Sequence, residues 1–384
     1  MLDIARDVAA GKGYDPKPTD GTLFWAYLAG AFDDAWVSEQ YDAAVANLVE
    51  LASQDFTNLT LYYGAAGVGF TIAHVSEEGT ADGSLEAIDE LIEVTLREHD
   101  MPEYDLISGL AGVAVYLLER GEAPSARAAL DQVVRRLSAR AERSGEGMAW
   151  FTQPELLPPQ ELERFPAGSL NCGVAHGVPG VLAILARAAG LPGMSPEVRT
   201  LAIDGLRWLR GRHQPNSPRG RYPAWIARDL VPQHPTRTAW CYGDPGIALT
   251  TYSATTRLGL PTEDALELAR EVARRDPEQT GVVDAGLCHG AAGLAHICNR
   301  FYQATGEELF RTSARAWYER TLAMRGAQGT GVGDYMMFHS AVGKPAEWLP
   351  AVSILDGAMG VALSLLSATE PTAPNWDRLL LCEP

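Results

Sequence analysis

The sequence predicts an all-α protein, an α/α barrel in which inner and outer helices alternate. A glycine pair spaced as GxxG occurs six times, with first glycines at positions 64, 109, 177, 243, 290 and 357. Most pairs open an apolar stretch with hardly a charge, which is typical of a helix buried on most sides. Amphipathic, charged stretches lie between them, and the alternation typical of strands is scarce. Repeated pairs of one buried and one amphipathic helix predict hairpins whose inner helices share a core and can close into a ring.

The helical pairs can be assigned along the chain. A turn-rich start at 11–21 precedes the apolar segment 23–32, and we expect residues 1–50 to supply a seventh pair. Thr262 and Ser195 are predicted N-caps, and Ser195 is followed by a proline suited to the first helical turn. Further outer helices are predicted over 36–54, 83–99, 124–142 and 307–324. We expect one domain over residues 1–384.

Three long loops interrupt the repeat, at 150–169, 213–235 and 326–348. Loops longer than about 12–15 residues in a compact domain often carry function. Covering one end of the hydrophobic core is the alternative, and the sequence does not decide between the two.

Composition excludes several functional classes. The net charge of −18 gives no electrostatic footprint for nucleic acid and argues against an anionic membrane surface, so a peptide or small molecule fits better. No apolar run approaches the roughly 20 residues of a membrane-spanning helix, and no secretory signal is recognisable. We therefore expect a cytoplasmic protein. Five cysteines are too few for a disulfide framework, so free or metal-bound thiols are expected.

Polar residues recur at fixed positions before the glycine pairs. Cys241 and Cys288 stand two residues before their first glycine, and His289 stands one residue before it. If the inner helices run parallel, the turns before them meet at one end of the barrel. Two thiolates and an imidazole are a ligand set that zinc favours when one position stays open for chemistry. The alternative is two buried apolar cysteines beside an unrelated histidine.

Other residues of the same register are candidates for acid and base chemistry. His176 and Tyr242 stand one residue before a glycine pair, and Asp105 stands four residues before Gly109. An imidazole exchanges protons near neutral pH, and Asp105 could orient it or exchange protons itself. A hydrogen-bonded turn histidine and a helix-capping aspartate are the alternatives. Arg237 could stabilise an oxyanion or hold a carboxylate, or be a surface charge. We interpret the remaining cysteines as non-ligands: Cys172, Cys298 and Cys382.

The glycines suggest close approach of backbone. At i and i+3 they share one face of the first helical turn, so a neighbour or a ligand could approach there without interference from a Cβ atom. The helix N-termini would then direct their positive dipole ends at the site.

Together these motifs resemble the lanthionine synthetase C-like family, the lantibiotic cyclases, over essentially the whole chain. The resemblance implies a toroid of seven inner and seven outer helices around a zinc ion held at Cys241, Cys288 and His289. It also implies acid and base roles for His176 and Asp105. The segments that carry the resemblance are 104–112, 175–177, 240–243 and 288–290, and the implied site also includes Arg237 and Tyr242.

The resemblance implies thioether ring formation. Cysteine thiols of a dehydrated precursor peptide, made of leader and core, would add to dehydroalanine or dehydrobutyrine to give lanthionine or methyllanthionine. A separate dehydratase and an exporter are implied partners, and attachment to a membrane-associated complex stays open. One rival is a zinc- and glutathione-binding protein of the same fold without cyclase activity. The others are a different enzyme class on an α/α barrel, such as a prenyl transferase or glycosidase, and a scaffold with structural zinc.

Overall fold

The structure is a computed structural model that describes residues 1–14, 16–77, 79–215, 217, 220–227, 236–340, 345–370 and 373–384. The chain divides into two compact units, one of Met1–Ser53, Arg237–Trp240 and Leu268–Asp377 and the other of Gln54–Thr236, Cys241–Glu267 and Arg378–Pro384. The expectation of one domain over 1–384 stays a prediction.

Helices make up most of the described chain. In order they are α1 (Leu2–Ala9), α2 (Pro18–Ala31), α3 (Ala35–Ala52), α4 (Ala65–Val75), α5 (Asp82–Glu98), α6 (Leu110–Glu119), α7 (Pro124–Arg140), α8 (Pro159–Arg164), α9 (Val178–Ala189), α10 (Pro196–Arg210), α11 (Asp244–Arg257), α12 (Glu263–Arg274), α13 (Ala291–Thr305), α14 (Glu308–Ala323) and α15 (Ala358–Thr369). Among the described residues, no helix is both long enough and apolar enough to cross a membrane. A cytoplasmic location stays a prediction.

The predicted alternation of inner and outer helices is confirmed. Helices α4, α6, α9, α11, α13 and α15 each begin directly after the first glycine of a GxxG pair, and α2 is the buried helix of a seventh pair with α3. Within one unit α4 packs on α6, α6 on α9 and α9 on α11; within the other, α13 packs on α15 and α15 on α2. Successive inner helices are therefore neighbours in each unit.

The outer helices bury one face only. In α5 the buried apolar residues are Leu85, Ile88, Ile92 and Leu96, a spacing that places them on one side of a helix. The predicted start at Ser195 is confirmed, since its hydroxyl accepts a hydrogen bond from the Glu197 N–H. After α15 the described chain forms a short 3-10 helix at Asn375–Leu380.

Two small antiparallel sheets accompany the helices, and strands are scarce among the described residues, as expected. The first orders β1 (Ala141–Ser144), β2 (Gly147–Thr152), β3 (Ser169–Asn171) and β4 (Trp225–Ala227), and the second pairs β5 (Met337–His339) with β6 (Glu347–Leu349). Ser169 of β3 pairs with Ala227 of β4, so the first two predicted loops meet in one sheet. Parts of the second and third loops, 228–235 and 341–344, lie outside the described residues.

The loop before an inner helix, here called the pre-helix loop, caps that helix. The N–H groups of Leu110 and Ala111 donate to the carbonyls of Glu103 and Tyr104, seven residues earlier, at 3.1 Å. Amides of the first helical turn otherwise have no partner within their helix. The same spacing joins residues 65 to 58, 291 to 284 and 358 to 351. These amides are therefore occupied by the chain itself, and a role of the helix dipoles at a site stays a prediction.

The second glycine of a pair makes this folding-back possible. At Gly67 an added Cβ would overlap the Leu61 carbonyl oxygen, six residues earlier. The same overlap involves Gly112, Gly180, Gly293 and Gly360 with Leu106, Val174, Leu287 and Ile354. The predicted close approach of backbone is confirmed, and the neighbour is the chain's own pre-helix loop.

The start of α11, in the fourth repeat, is held by a different set of contacts. Gly243 has a φ of 138°, which favours glycine, and the fully buried carboxylate of Asp244 accepts hydrogen bonds from the Arg221 and Tyr222 amides. The start of α11 is thereby attached to the second long loop.

Replacing Gly67 with alanine should lower the free energy of unfolding by about 1–3 kcal/mol, because the pre-helix loop must move away from the new methyl group. Gly83→Ala in α5 is the matched control, since an added Cβ there meets no atom within 4 Å. That control should be neutral or stabilising by up to about 1 kcal/mol. Thermal or urea unfolding of both variants checks this, and equal stabilities would contradict the capping role.

Candidate metal centre

Backbone hydrogen bonds join successive pre-helix loops. Leu106 N–H donates to the Ala175 carbonyl at 3.2 Å, and Ala175 N–H donates to the Cys241 carbonyl at 3.5 Å. In the other unit, Trp240 N–H donates to the Cys288 carbonyl at 3.1 Å, and Cys288 N–H donates to the Leu355 carbonyl at 2.9 Å. Residues in equivalent positions of different repeats are therefore held side by side.

Three predicted ligands come together. Cys241, Cys288 and His289 each offer one ligand atom, and these atoms all lie within 4.8 Å of one another. The two cysteines are 8% and 9% exposed, whereas the imidazole is partly accessible. Two sulfurs and one nitrogen form a donor set that zinc accepts in tetrahedral sites with a fourth position free. The residues present therefore fit a zinc ion.

Two carboxylates flank the imidazole of His289. Asp284 Oδ2 lies 4.0 Å from Nε2, and Asp356 Oδ1 lies 3.9 Å from Nδ1. Asp284 is buried and fixed, because its oxygens accept hydrogen bonds from the Gly286 and Phe338 amides. Histidine ligands of metals commonly donate their second ring N–H to a carboxylate. Whichever ring nitrogen faces a metal, a carboxylate stands near the other.

His176 and Asp105 form a pair. The Nδ1 atom of His176 lies 2.8 Å from Oδ2 of Asp105, whose other oxygen accepts the Ser108 N–H at 2.6 Å. Because a carboxylate only accepts, Nδ1 carries the hydrogen and Nε2 is left for other partners. The His176 side chain is 41% exposed, so a substrate can reach it.

The pair shifts the histidine's protonation. Burial by itself lowers the pKa of His176, but the hydrogen bond and charge of Asp105, together with the charges of Cys241 and Glu161, raise it by more. The pKa therefore lies above its ordinary value of 6.5, and the imidazolium persists to higher pH.

Tyr242 lies beside this pair. Its ring stacks on that of His176 with centroids 6.4 Å apart, and it lies tilted by 38° against Trp225 with centroids 4.7 Å apart. Asn171 Nδ2 donates to its hydroxyl oxygen at 3.0 Å. Burial raises the pKa of Tyr242 above its ordinary value, so the phenol stays protonated at neutral pH.

The remaining candidate residues are Arg237 and three further cysteines. Arg237 is exposed, and its Cβ is 3.6 Å from where a Cβ of Gly281 would stand. Burial raises the pKa of Cys172 to about 12 and that of Cys298 to about 11, as expected of unreactive thiols. Cys382 is buried with its sulfur near the Leu380 carbonyl. Among the described residues these three thiols are not part of the metal-ligand group.

The sequence interpretation missed Asn171, Asp284 and Asp356. Asp356 stands one residue before a glycine pair, the position that His176 and His289 hold in their own repeats. Asn171 and Asp284 stand six residues before a pair, and in both the side-chain oxygen accepts the amide two residues later. Asn58 repeats this turn before Gly64. These residues could have been found from the sequence by comparing, across all repeats, the positions one and six residues before each glycine pair.

Comparison with known proteins gives a consistent result. Residues 21–381 match the lanthionine synthetase C-like protein family. The nisin biosynthesis protein NisC of Lactococcus lactis subsp. lactis is 26% identical over 300 residues, which cover 71% of this chain and 70% of that protein. The glutathione S-transferase LANCL1 of Danio rerio is 31% identical over 137 residues, 35% of this chain and 31% of that protein.

A solved structure of nisin cyclase aligns with a TM-score of 0.79 at 22% identity, covering 99% of this chain and 96% of the other. A likeness at this identity shows the fold, and with the helical content it confirms the predicted all-α class. The family match covers most of the chain and confirms the resemblance carried by the motifs. This chain belongs to the lanthionine synthetase C-like family.

Proposed function

We propose that this protein is a zinc-dependent lanthipeptide cyclase. It adds cysteine thiols of a dehydrated precursor peptide to dehydroalanine or dehydrobutyrine and so forms lanthionine or methyllanthionine rings. The observation that carries this proposal is the convergence of Cys241, Cys288 and His289 in a chain of this family. A zinc ion bound there would supply the Lewis acidity that keeps a substrate thiol deprotonated near neutral pH.

His176 is the proposed proton donor. Addition of sulfur to the β-carbon moves the electrons of the C=C bond onto the neighbouring carbonyl as an enolate, and the α-carbon then needs a proton. Nε2 of His176 is not used by Asp105 and can deliver it, while the carboxylate stabilises the imidazolium beforehand. The substrate thiol loses its proton to solvent before the addition, and the imidazole takes up a proton from solvent afterwards, so the reaction is a net isomerisation of the peptide.

Tyr242 and Arg237 are proposed to stabilise the enolate. The phenol of Tyr242 lies beside His176 and has a hydrogen to donate. Arg237 is exposed, and we propose that its guanidinium binds either the enolate oxygen or a carboxylate of the peptide. Fixed donors at a developing oxyanion are commonly a large part of catalysis.

The proposed substrate implies further partners. It already contains dehydroamino acids, so a dehydratase must act earlier, and we propose that a separate dehydratase and an exporter of the finished peptide work with this protein.

A second candidate function has one specific observation behind it. The relative named glutathione S-transferase LANCL1 matches 35% of this chain, and glutathione addition to an electrophile uses similar thiol chemistry. Incubation of the protein with glutathione and a dehydrated, cysteine-containing peptide separates the two. Cyclisation consumes the peptide thiol without changing the peptide's mass, whereas glutathione transfer adds one glutathione for each double bond consumed.

Alanine at Cys241, Cys288 or His289 should abolish both zinc binding and cyclisation. Each variant leaves only two protein ligands for the ion. Metal analysis of the purified variants, with mass spectrometry of the peptide after thiol alkylation, measures both losses. Cys298→Ala, which removes a buried thiol outside the group, should retain zinc and activity. Full activity in any metal-free ligand variant would refute a zinc-dependent reaction.

His176→Ala should reduce cyclisation about 10²- to 10⁴-fold, the usual range for loss of a general acid, with zinc content unchanged. Asp105→Asn should leave partial activity with a shifted pH profile. Without the carboxylate the pKa of His176 falls, so the imidazolium and the rate should be lost at lower pH than in the wild type. Rates measured from pH 5 to 9 check the shift. An alkaline limb that does not move would mean that His176 is not the acid.

A further inference from the structure

We propose that Asn171 is a positioning residue that fixes the direction of the Tyr242 hydroxyl hydrogen. The inference rests on the proposed cyclase function, in which this hydroxyl donates to the enolate. Asn171 ends β3 and is 5% exposed. Its two amide atoms contact two different groups: Oδ1 accepts the Gly173 N–H at 2.9 Å, and Nδ2 lies 3.0 Å from the Tyr242 hydroxyl oxygen.

The backbone determines which way the side-chain amide of Asn171 points. A backbone N–H only donates, so the amide oxygen must face Gly173. The NH₂ group then faces Tyr242, and because it also only donates, the phenol oxygen must accept. A phenol has a single hydrogen, which therefore points away from Asn171. Asn171 thus makes Tyr242 a hydrogen-bond donor toward other partners.

The Tyr242 ring has little room to move. An added Cβ at Gly173 would lie 2.6 Å from the ring, so only glycine admits the ring at this distance. Trp225 contacts the ring with centroids 4.7 Å apart, and His176 stacks at 6.4 Å with ring planes 26° apart. The Tyr242 ring is thereby held beside that of the proposed proton donor, in the residue that directly follows Cys241.

This placement suits the oxygen that gains charge. Sulfur addition leaves the enolate oxygen next to the α-carbon that receives the proton. A donor fixed beside His176 can bind that oxygen in the same orientation before and during the reaction, which is how preorganised donors lower a barrier. Asn171 touches neither substrate nor metal in this account, and it acts through Tyr242.

The repeat offers a matched substitution. Asp284 holds the equivalent position in another repeat and makes the same turn, with Oδ1 accepting the Gly286 N–H at 3.1 Å. Asn171→Asp should therefore keep the turn and the fold. A carboxylate only accepts, so in that variant Tyr242 would have to donate its hydrogen to the new carboxylate and would lose it for the enolate.

The experiment compares cyclisation kinetics of a dehydrated precursor peptide in wild type, Asn171→Asp, Tyr242→Phe and the double variant. Both single variants should lose about 10²-fold in kcat with little change in KM, the usual effect of removing one oxyanion donor. Zinc content and Tm should equal those of the wild type. The double variant should be no slower than Tyr242→Phe alone, because the hydrogen that Asn171 directs is already absent.

Several results would overturn the proposal. A double variant clearly slower than Tyr242→Phe would mean that the new charge acts on His176 instead of through Tyr242. Wild-type rates in either single variant would show that the hydroxyl hydrogen is not used. A large drop in Tm for Asn171→Asp would make the residue structural. Failure of the proposed function is distinct from all of these, since the wild-type protein itself would then not cyclise the peptide.

Discussion

The backbone hydrogen bonds between pre-helix loops are the constraint on which the candidate site depends. Trp240 donates to the Cys288 carbonyl, and Cys288 donates to the Leu355 carbonyl, so three loops far apart in sequence are fixed in register. A buried amide that loses its partner costs about 1–3 kcal/mol, so slippage of one loop is opposed at each bond. Because the register is set by backbone, the side chains one and two residues before the glycines are free to differ between repeats. The fold therefore supplies equivalent positions before each inner helix, and the side chains at those positions determine the chemistry of the site.

His176 and His289 each lie beside a carboxylate, but the roles proposed for the two histidines differ. His176 donates to Asp105 from Nδ1, which raises its pKa and leaves Nε2 for a substrate. The ring nitrogens of His289 lie 3.9 Å from a carboxylate oxygen of Asp356 and 4.0 Å from one of Asp284. A carboxylate at the second ring nitrogen is common beside histidines that bind metals. Both histidines directly precede a glycine pair. The same position in the repeat thus provides a proposed acid in one place and a proposed ligand in another.

The repeat register made much of this predictable, and contacts between segments distant in sequence explain what it missed. The six glycine pairs predicted where the inner helices begin. They also predicted that Cys241, Cys288 and His289 converge, and in the structure their ligand atoms lie within 4.8 Å of one another. The first sheet was missed because strands of three or four residues, such as β3 and β4, are too short to show alternation and pair with segments distant in sequence. The contact of Asn171 with Tyr242 depends on how that sheet places its last residue, which no periodicity encodes.

The most direct test of the account is X-ray absorption spectroscopy of the purified, zinc-loaded protein before and after addition of a cysteine-containing, dehydrated precursor peptide. The donor set predicts two sulfur ligands at about 2.3 Å, one nitrogen at about 2.0 Å and a light-atom ligand in the fourth position. Addition of the peptide should raise the sulfur count from two to three. A closed shell of four protein ligands, or a sulfur count that the peptide leaves unchanged, would contradict a metal centre built to activate a substrate thiol.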